Sequence, residues 1–408
     1  MGYRLKRTGL SNLPEKSRGR PRIAIVYPRL GEGGGSESKA LWTAEALKSD
    51  YRVTLITMGE VDLGRLNEYY GTSLRSDEIE IVEIPIPHPL RERFDALRSY
   101  RLARFCKRRA SGFDVMMSCY NMMDFGRRGI QLIADVSFDD RLRRAFHPKS
   151  DGLKKFFYEK SPFRWAYLKF AQILSGQTDD GWRKNLTVAN SRWSSELMKS
   201  VFGAETRIIY PPVIGGFPRV SEDEKENGFI CIGRLVPEKR VDRMIEILEG
   251  VRGRGWKIHL HIVGKVEPSG YVEGLRQRCE TKKDWIFWEG TVMGQEKMEL
   301  MARHKFGISG CEREAFGIAV AEMVKAGSIV WVPNGGGQVE IVKHPTLIYR
   351  DMEDGVNKIE GVLRSQKIQE DLRNHLGKQS EGFSTEGFMS EIKTMVEEFL
   401  EENGKKEG

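Results

Sequence analysis

The stretch Phe229-Ile-Cys-Ile-Gly-Arg-Leu-Val-Pro-Glu-Lys-Arg-Val-Asp-Arg-Met-Ile-Glu-Ile-Leu248 decides the fold of the second half of the chain. It predicts a buried strand, a turn at Gly233, a proline-marked loop and an amphipathic helix with apolar residues at helical spacing. Arg234 and Lys239 then lie at the carboxyl end of a strand, where open α/β sheets bind ligands. A guanidinium and an ammonium there can clamp two phosphates. Arg240 is expected to be an exposed residue at the helix start.

Strand and helix patterns of this kind alternate along the whole chain. The Val- and Ile-rich runs are Ile23–Tyr27, Arg52–Thr57, Ile79–Ile84, Val115–Ser118 and Leu186–Ala189, then Phe229–Ile232, Lys257–Val263, Trp285–Trp288, Phe306–Ser309 and Ile329–Val332. Alternation of strands and helices predicts parallel sheets covered on both faces, and two such series predict two Rossmann-like domains. Proline, glycine and charged residues in 211–226 indicate the linker.

Length and composition fit two domains. With 408 residues, of which 39% are hydrophobic, the chain is long enough for two cores. We expect a flexible basic tail over 1–20, a first domain over 21–212, a second domain over 213–382 and a final helical segment over 383–408. The start of the chain lacks the apolar core of a secretion signal, and no run of ~18 apolar residues could span a bilayer. Five widely spaced cysteines without a Cys-x-x-Cys pattern favour free thiols in a reducing cytoplasm.

A second informative stretch reads Glu314-Ala-Phe-Gly-Ile-Ala-Val-Ala-Glu322-Met-Val-Lys-Ala-Gly327. It predicts a buried helix after Phe316, with Glu314 and Ala315 in the entering loop. The free amides of the first turn and the helix dipole form an anion site, which Gly317 opens to a diphosphate.

The two carboxylates would lie roughly 9–12 Å apart, at ~1.5 Å of rise per residue. That separation is too large for a glycosidase pair at ~5 to ~9.5 Å. Each glutamate is therefore expected to bind its own end of an extended ligand, one the sugar and one the ribose. The alternative is a surface helix with two solvated glutamates.

Three motifs in order carry a family resemblance. They are Arg22-Ile-Ala-Ile-Val-Tyr-Pro-Arg with the glycine loop Gly31-Glu-Gly-Gly-Gly-Ser36, then Gly233-Arg-Leu-Val-Pro-Glu-Lys239, then Glu314-x7-Glu322. Together they resemble family 4 of the retaining, nucleotide-sugar-dependent glycosyltransferases, which have the GT-B fold. The segments 187–198 and 210–213 are similar to the family's interdomain crossing, especially in mannosyltransferases that extend lipid-linked glycans from GDP-mannose. The resemblance implies an α/β fold of two Rossmann-like, doubly wound parallel-sheet domains facing across a cleft, with the last helix crossing back to the first domain.

The resemblance also implies a reaction and a set of residues. A hexose, with mannose as the candidate, would pass from a nucleoside-diphosphate sugar to a hydroxyl of a glycan or lipid-linked acceptor, with retention and without a metal or other cofactor. No Asp-x-Asp metal motif stands where a metal-dependent transferase would need one. The implied catalytic residues are Arg234, Lys239, Glu314 and Asp135. The implied donor-binding residues are Gly34, Gly35, Gly233, Val292, Met293, Ala315, Phe316, Gly317, Ile318, Ala319 and Glu322. Within these sets, Val292 and Met293 would contact the base.

One departure concerns the first domain. Many relatives carry a catalytically important histidine where this chain reads Gly129-Ile-Gln-Leu-Ile-Ala-Asp135. Either Asp135 takes the equivalent place and binds a sugar hydroxyl, or Ala134 aligns there and leaves a backbone contact. His88 and His147 are nearby in sequence but unmatched, and we expect them to be structural or surface residues.

The net charge of +8 is concentrated in two segments, 90–109 and 153–170, which also contain many aromatic residues. Such a mixture suits the anionic inner face of a membrane, where aromatics enter the interface and cations meet lipid head groups. The alternative is that the aromatics belong to the core and the cations are solvated. Nucleic acid is not expected as a partner, because no recognition motif for it is present.

Two other functions share parts of this pattern. A GT-B epimerase or phosphorylase would have the fold but should lack the joint arginine–lysine and paired-glutamate motifs. A catalytically inactive sugar-nucleotide-binding scaffold subunit is consistent with the missing histidine.

Overall fold

Two parallel sheets organise the chain, which a computed structural model describes over residues 19–31, 33–86, 95–134, 142, 162–266 and 268–407. The first sheet has the strand order β3-β2-β1-β4-β5-β6-β7. Its strands are β1 (Arg22–Val26), β2 (Arg52–Met58), β3 (Glu80–Ile84), β4 (Val115–Ser118), β5 (Ile130–Leu132), β6 (Leu186–Ala189) and β7 (Arg207–Ile208). The second sheet has the order β10-β9-β8-β11-β12-β13. Its strands are β8 (Glu226–Ile232), β9 (His259–Val263), β10 (Ile286–Gly290), β11 (His304–Ile308), β12 (Ile329–Pro333) and β13 (Ile348–Tyr349).

Helices cover both sheets. Those described in the first half are α1 (Gly35–Leu47), α2 (Leu63–Tyr70), α3 (Asp95–Arg109), α4 (Pro162–Ser175), α5 (Asp179–Arg183) and α6 (Arg192–Phe202). Those of the second half are α7 (Val241–Gly253), α8 (Gly270–Glu280), α9 (Gly294–Arg303), α10 (Ile318–Lys325), α11 (Val339–Val342), α12 (Met352–Leu363), α13 (Gln366–Ser380) and α14 (Thr385–Glu407). The predicted α/β class with two Rossmann-like, doubly wound sheets is confirmed.

Every predicted run forms a strand, and the three unpredicted strands are the shortest ones. β5 has three residues, and β7 and β13 have two each. A run this short gives no periodicity against which a pattern could be recognised. In addition β5, Ile130-Gln131-Leu132, is buried throughout and includes the polar residue Gln131, so it does not resemble an apolar run.

Each domain has its own core. The second is centred on Phe229, Phe306 and Trp331, all fully buried, with the two phenylalanine ring centroids 5.1 Å apart. The first has a core on each side of its sheet, because β1 sends Ile23 and Ile25 to one side and Ala24 to the other. A parallel sheet buried on both faces in this way holds its strand ends at fixed positions.

The last helix, α14, packs on the first domain. Its apolar face is buried in that core through Phe388, Ile392, Met395, Val396 and Phe399. The chain therefore crosses between the domains twice. The two crossings lie side by side, since Val213 N donates to Phe383 O at 3.0 Å.

The two segments that we expected at a membrane, 90–109 and 153–170, differ in how far their apolar side chains are exposed. On α4 the side chains of Phe163, Trp165, Phe170 and Ile173 are exposed, whereas α3 buries Leu102 and Cys106 in the core. The aromatics of α4 are therefore not core residues, although 90–94 and 153–161 lie outside the described residues. No helix in the described part of the chain is long and apolar enough to cross a membrane.

Candidate functional site

The two domains meet where the first glycine loop faces the start of α10. A Cβ added at Gly35 would lie 2.8 Å from Ile318 Cδ1, so the amino-terminal ends of α1 and α10 are in contact. Both helices follow carboxyl ends of parallel strands, the edge at which open α/β sheets bind ligands. The structure thus places the predicted first-domain and second-domain motifs on opposite walls of one cleft.

Lys239 and Glu314 form an ion pair on the second-domain wall. Lys239 ends a 3-10 turn, Pro237–Lys239, and Gly310 lets the next loop approach it: a Cβ there would lie 2.8 Å from Lys239 O. Lys239 Nζ donates to Glu314 Oε2, and both side chains are mostly buried. Burial opposes both charged forms, but the mutual attraction outweighs it. The pKa of Lys239 is therefore raised and that of Glu314 is lowered.

Arg234 lies in the same group of charges. Its side chain is exposed, and its positive charge acts on both Lys239 and Glu314. Gly233 is next to it, and a Cβ there would meet the Lys239 side chain at 3.8 Å. Arg240, which we expected to be exposed at the helix start, is exposed and has φ 50°.

A glycine-lined contact fixes the loop that carries Glu314. Gly337 N donates to Glu314 O at 2.7 Å, and a Cβ at Gly336 would lie 2.4 Å from that oxygen. Gly317 then begins α10 with φ 102°, a conformation that glycine adopts at little cost. Glu314 and Ala315 lie in the loop before the helix, as predicted.

The start of α10 is an amide-rich surface. The first hydrogen bond along the helix runs from Ala321 N to Gly317 O at 3.0 Å, so the amides of Ile318 and Ala319 precede it. Phe316 packs its buried ring against Tyr210 and Phe383 and anchors the loop from behind. An anion at this position would meet amide groups and the positive end of the helix dipole.

Glu322 is buried on the same helix and has a partner that the sequence did not reveal. Its side chain accepts from Lys297 Nζ at 2.7 Å, and Lys297 lies on α9. Burial opposes the charge of Lys297, but Glu322 outweighs it and raises the pKa of this lysine. The first-domain residue Tyr69 also interacts electrostatically with both groups. The alternative of two solvated glutamates is wrong, since both carboxylates are ion-paired and shielded from water.

The first-domain glycine loop is held from behind by a buried tyrosine. Tyr70 Oη donates to Gly34 O at 2.9 Å and is 3.1 Å from Glu37 Oε2, while Gly31 N donates to the same carboxylate oxygen at 3.0 Å. Burial raises the pKa of Tyr70 far above its ordinary value, so it remains a donor. Tyr70 lies outside the glycine loop 31–36, and no local pattern in the sequence marks it as a support of that loop.

Val292 and Met293, which we expected to contact the base, lie in the loop after β10. Val292 packs partly against the second-domain core, and Met293 precedes α9 with its side chain exposed. A Cβ at Gly264 would lie 1.8 Å from Gly233 O, so the loops after β8 and β9 touch.

An interdomain clasp joins α6 to the Glu314 loop; we define it as Ser191, Tyr210 and Glu340. Ser191 Oγ donates to Ala315 O at 2.5 Å. Glu340 accepts from the amides of residues 192 and 193, each at 2.9 Å, and from Tyr210 Oη at 2.9 Å. The sequence identified 187–198 and 210–213 as a crossing, but gave no sign of the second-domain acceptor.

The first-domain segment in which relatives carry a histidine ends, among the described residues, at Ala134. Asp135, His88 and His147 lie outside the described residues. Ala134 N donates to Tyr120 O at 2.9 Å, and Ala134 O accepts from Asn190 Nδ2 at 3.2 Å. Its backbone groups are therefore already engaged within the domain.

A buried cation lies beside this segment. Lys39 Nζ, on α1, donates to Ile133 O at 3.0 Å. Burial lowers the pKa of Lys39 to about 8, against a smaller opposite effect of Cys119. The sequence did not reveal this lysine, because a single lysine in a helix pattern carries no signal of its own burial.

Comparison with known proteins supports the assignment of the second domain. Residues 217–381 match the model of the family "Glycosyl transferases group 1". A GDP-Man:Man(3)GlcNAc(2)-PP-Dol alpha-1,2-mannosyltransferase of Caenorhabditis elegans is 24% identical over 175 residues, 38% of this chain and 37% of that protein. The Dictyostelium discoideum protein of the same name is 22% identical over 246 residues, 53% of this chain and 49% of that protein. The chain thus matches half or less of the length of these relatives.

Solved structures extend the similarity to both domains. Anabaena HepE, in complex with UDP and glucose, superposes with a TM-score of 0.67 at 16% identity over 92% of this chain and 99% of that one. WaaG, a glycosyltransferase involved in lipopolysaccharide biosynthesis, superposes with a TM-score of 0.63 at 15% identity over 88% and 95%. At these identities the likeness is one of fold. The protein therefore has the GT-B fold of glycosyltransferases, and its second domain matches the glycosyl transferases group 1 family.

Proposed function

We propose that the protein transfers a hexose from a nucleoside-diphosphate sugar to a hydroxyl of a glycan or lipid-linked acceptor, with retention at the anomeric carbon. The observation that carries this proposal is the grouping of Arg234, Lys239 and Glu314 beside the amino-terminal end of α10, opposite the glycine loop. Cations and helix amides there suit a diphosphate, and a carboxylate beside them suits sugar hydroxyls.

In the proposed reaction the acceptor oxygen attacks the face from which the diphosphate leaves. The bond from the anomeric carbon to the phosphate oxygen breaks, a bond to the acceptor oxygen forms, and the acceptor proton passes to the departing phosphate. Arg234, Lys239 and the amides of Ile318 and Ala319 stabilise the charge that develops on the diphosphate. These groups supply the positive charge, so we propose catalysis without a metal ion or other cofactor.

The Lys239–Glu314 pair is compatible with these roles. An ammonium has three protons, so Lys239 can keep one on Glu314 and direct another to a phosphate oxygen. Glu314 is then held in place with an oxygen directed to sugar hydroxyls. Lys297 fixes Glu322 in the same manner, with the second carboxylate oxygen assigned to the ribose.

The donor and acceptor are proposed from the relatives. Two mannosyltransferases named for GDP-mannose and a dolichol-linked glycan match parts of the chain, which supports GDP-mannose and a lipid-linked acceptor. HepE was crystallised with UDP and glucose, which makes UDP-glucose the second donor to test.

Peripheral contact with an anionic membrane is part of the same proposal. The exposed Ile173 of α4 lines a pocket of about 380 Å³ together with Arg104, Lys107 and Arg108 of α3, of which Lys107 is paired with Asp124 at 2.6 Å. Lys107 Nζ also donates to Gly176 O at 2.6 Å, just beyond α4. Apolar groups beside cations suit the boundary between acyl chains and anionic head groups.

The deciding experiment incubates the full chain with GDP-mannose, UDP-glucose and other nucleotide sugars, with and without a lipid-linked glycan. Slow donor hydrolysis should reveal the donor, and proton NMR of the glycan product should show the retained anomeric configuration. Binding of a donor without hydrolysis or transfer to any acceptor would support the scaffold alternative. Release of an epimerised sugar, or of a sugar phosphate when phosphate is added, would support an epimerase or a phosphorylase.

A further inference from the structure

The edge of the second sheet opposite the cleft carries three histidines and a glutamate. Glu226 begins β8, His259 and His261 lie on β9, and His304 begins β11. The three strands are neighbours in the sheet, with β8 between the other two. Because the strands are parallel, Glu226, His259 and His304 lie at the amino-terminal edge, away from the candidate donor site, and His261 lies two residues further along β9.

The ligand atoms of these four side chains converge. One nitrogen of each imidazole and one oxygen of Glu226 all lie within 4.8 Å of one another. Glu226 Oε2 is 3.1 Å from His259 Nε2, 4.0 Å from His261 Nε2 and 3.9 Å from His304 Nε2. The three rings thus present the same type of nitrogen to one carboxylate.

Hydrogen bonds on the outer side set the orientation of two rings. His304 Nδ1 donates to Leu300 O at 2.7 Å, and His261 Nδ1 donates to Glu289 Oε1 at 2.7 Å. In this tautomer the Nε2 atoms carry lone pairs that point inwards. A carbonyl or carboxylate behind a histidine is the arrangement that supports metal-binding imidazoles.

His304 gives a second, independent indication of a ligand. Its side chain is fully buried, and its Nε2 has no hydrogen-bond partner among the residues that the structure describes. A buried polar atom without a partner costs free energy, whereas a metal ion at the centre of the cluster would satisfy it.

The surroundings leave room for the rings and shield one side of them. A Cβ at Gly228 would lie 2.1 Å from His259 Nε2, so only glycine accommodates this ring. Phe287 stacks on His261, with ring centroids 4.7 Å apart.

We propose that Glu226, His259, His261 and His304 bind one zinc ion. Three imidazole nitrogens and one carboxylate oxygen are ligands that zinc accepts in tetrahedral geometry at ~2.0–2.2 Å, which places ligand atoms ~3.3 Å apart. The contacts of Glu226 lie between 3.1 and 4.0 Å and all four ligand atoms within 4.8 Å of one another, so side-chain rotations would have to bring them closer to complete the site. Four protein ligands leave no open position, and the ion ties β8, β9 and β11 together without taking part in sugar transfer.

The test uses the untagged full chain, stripped with a chelator. Zinc titration should show one tight site per chain and raise the melting temperature by about 5 °C at saturation, since binding only the folded state stabilises it. Cobalt should bind with the intense visible absorption of a tetrahedral site. The double variant His259→Gln/His261→Gln should lose the cobalt absorption and the thermal shift, while sugar transfer is retained.

The matched control is His344→Gln, because His344 also has an edge-to-face contact with another histidine, His375, but is not part of the cluster. This variant should bind zinc and cobalt as the parent does. The conservative variant Glu226→Gln, which retains the side-chain volume, should weaken zinc binding at least tenfold without unfolding the protein. Absence of a stoichiometric site in the folded parent would overturn the proposal, and so would an unchanged cobalt spectrum in the double variant.

Discussion

Lys239 illustrates how a single side chain can have two roles in the cleft. It neutralises Glu314 and, in our proposal, the departing diphosphate. Removing it therefore affects both the reaction and the charge state of a carboxylate shielded from water. The effects can be separated, because the first appears in turnover and the second in the pH dependence.

We expect Lys239→Ala to fold normally and to lower turnover by ~10²-fold or more, as for loss of one preorganised donor at a developing charge. Lys239 now lowers the pKa of Glu314, so its loss should raise that pKa and move the acidic limb of the rate profile to higher pH. Steady-state kinetics across pH and circular dichroism measure these effects. Arg240→Ala is the control and should retain activity; near-parental turnover in folded Lys239→Ala would refute the phosphate role.

The two glutamates divide the donor between them in our proposal. Glu314→Gln should strongly reduce transfer but change the affinity for free nucleoside diphosphate little, since the free nucleotide lacks the sugar. Glu322→Gln should weaken nucleotide binding and raise KM with a smaller effect on kcat. Calorimetry with the nucleotide and kinetics with the donor measure the two quantities.

Lys297 supplies the control for the second variant. Glu322→Gln leaves this buried cation without its carboxylate, which alone could disturb the helix. The double variant Glu322→Gln/Lys297→Met removes both charges, and we expect it to remain folded and still bind nucleotide weakly. Equal loss of nucleotide binding in the Glu314 and Glu322 variants would contradict the division of roles.

The burial of Lys39 predicts that the free energy of unfolding depends on pH. Its pKa in the folded protein is about 8, below the ordinary 10.5, so the unfolded chain binds the proton more tightly. The burial penalty, on the order of 3 kcal/mol, applies in full below pH 8 and is relieved as pH rises towards 10.5. The free energy of unfolding of the parent, relative to that of Lys39→Met, should therefore rise by about 3 kcal/mol between pH 7 and 10.5. Urea unfolding at several pH values measures it, and parallel pH profiles would refute it.

Site residues could be predicted where chemistry and spacing were local. Arg234 and Lys239 share one loop, and Glu314 lies in the loop that leads into the helix of Glu322, so each pair was visible in a short stretch. Their partners come from elsewhere in the chain: Lys297 reaches Glu322 from another helix, and Tyr70 supports a glycine loop more than thirty positions away. Contacts of this kind depend on the packing of whole elements, which no local pattern records.

At the scale of elements, α4 is unusual in presenting large apolar side chains to solvent. Trp165 is 66% exposed and Ile173 is 77% exposed, on a helix with no acidic residue. A helix normally buries such residues, and periodicity alone did not decide between core and surface here. The long strands and α10 were predictable because burial and local pattern agree in them.

We expect the full chain to bind anionic vesicles at low salt and to lose binding as salt rises, since charges are screened over ~8–10 Å at physiological ionic strength. Trp165→Ser/Ile173→Ser should reduce the bound fraction severalfold in vesicle flotation. Ile368→Ser is the control, because Ile368 is also exposed, at 42%, but lies in the second domain. Equal recovery of the parent with neutral and anionic vesicles would contradict membrane contact by α4.

At the scale of the whole molecule, we expect the interdomain clasp to set the width of the cleft. Glu340 alone accepts from two amides and one hydroxyl of the first half of the chain, next to the Glu314 loop. Its loss would leave these donors in a partly buried interface without an acceptor. The distance between the glycine loop and α10 would then be poorly fixed.

Glu340→Ala should lower kcat/KM by about tenfold, because misplacing the two halves of a site reduces the fraction in productive geometry. The affinity for free nucleoside diphosphate, which in our proposal binds the second domain, should change less. Small-angle scattering should show a larger radius of gyration. Glu370→Ala, an exposed glutamate on α13, is the control; unchanged kinetics and scattering for Glu340→Ala would show that the clasp does not set the domain arrangement.

We expect the return of α14 to the first domain also to influence the order in which the two domains complete their folding. The family-matched segment ends at residue 381, so the matched sequence of the second domain is synthesised before α14. The first domain must wait for Phe388 to Phe399, which complete one side of its core. Domains usually fold in the order of their synthesis. Here the amino-terminal domain emerges first but is finished last, and until then its uncovered apolar side is a surface for chaperones.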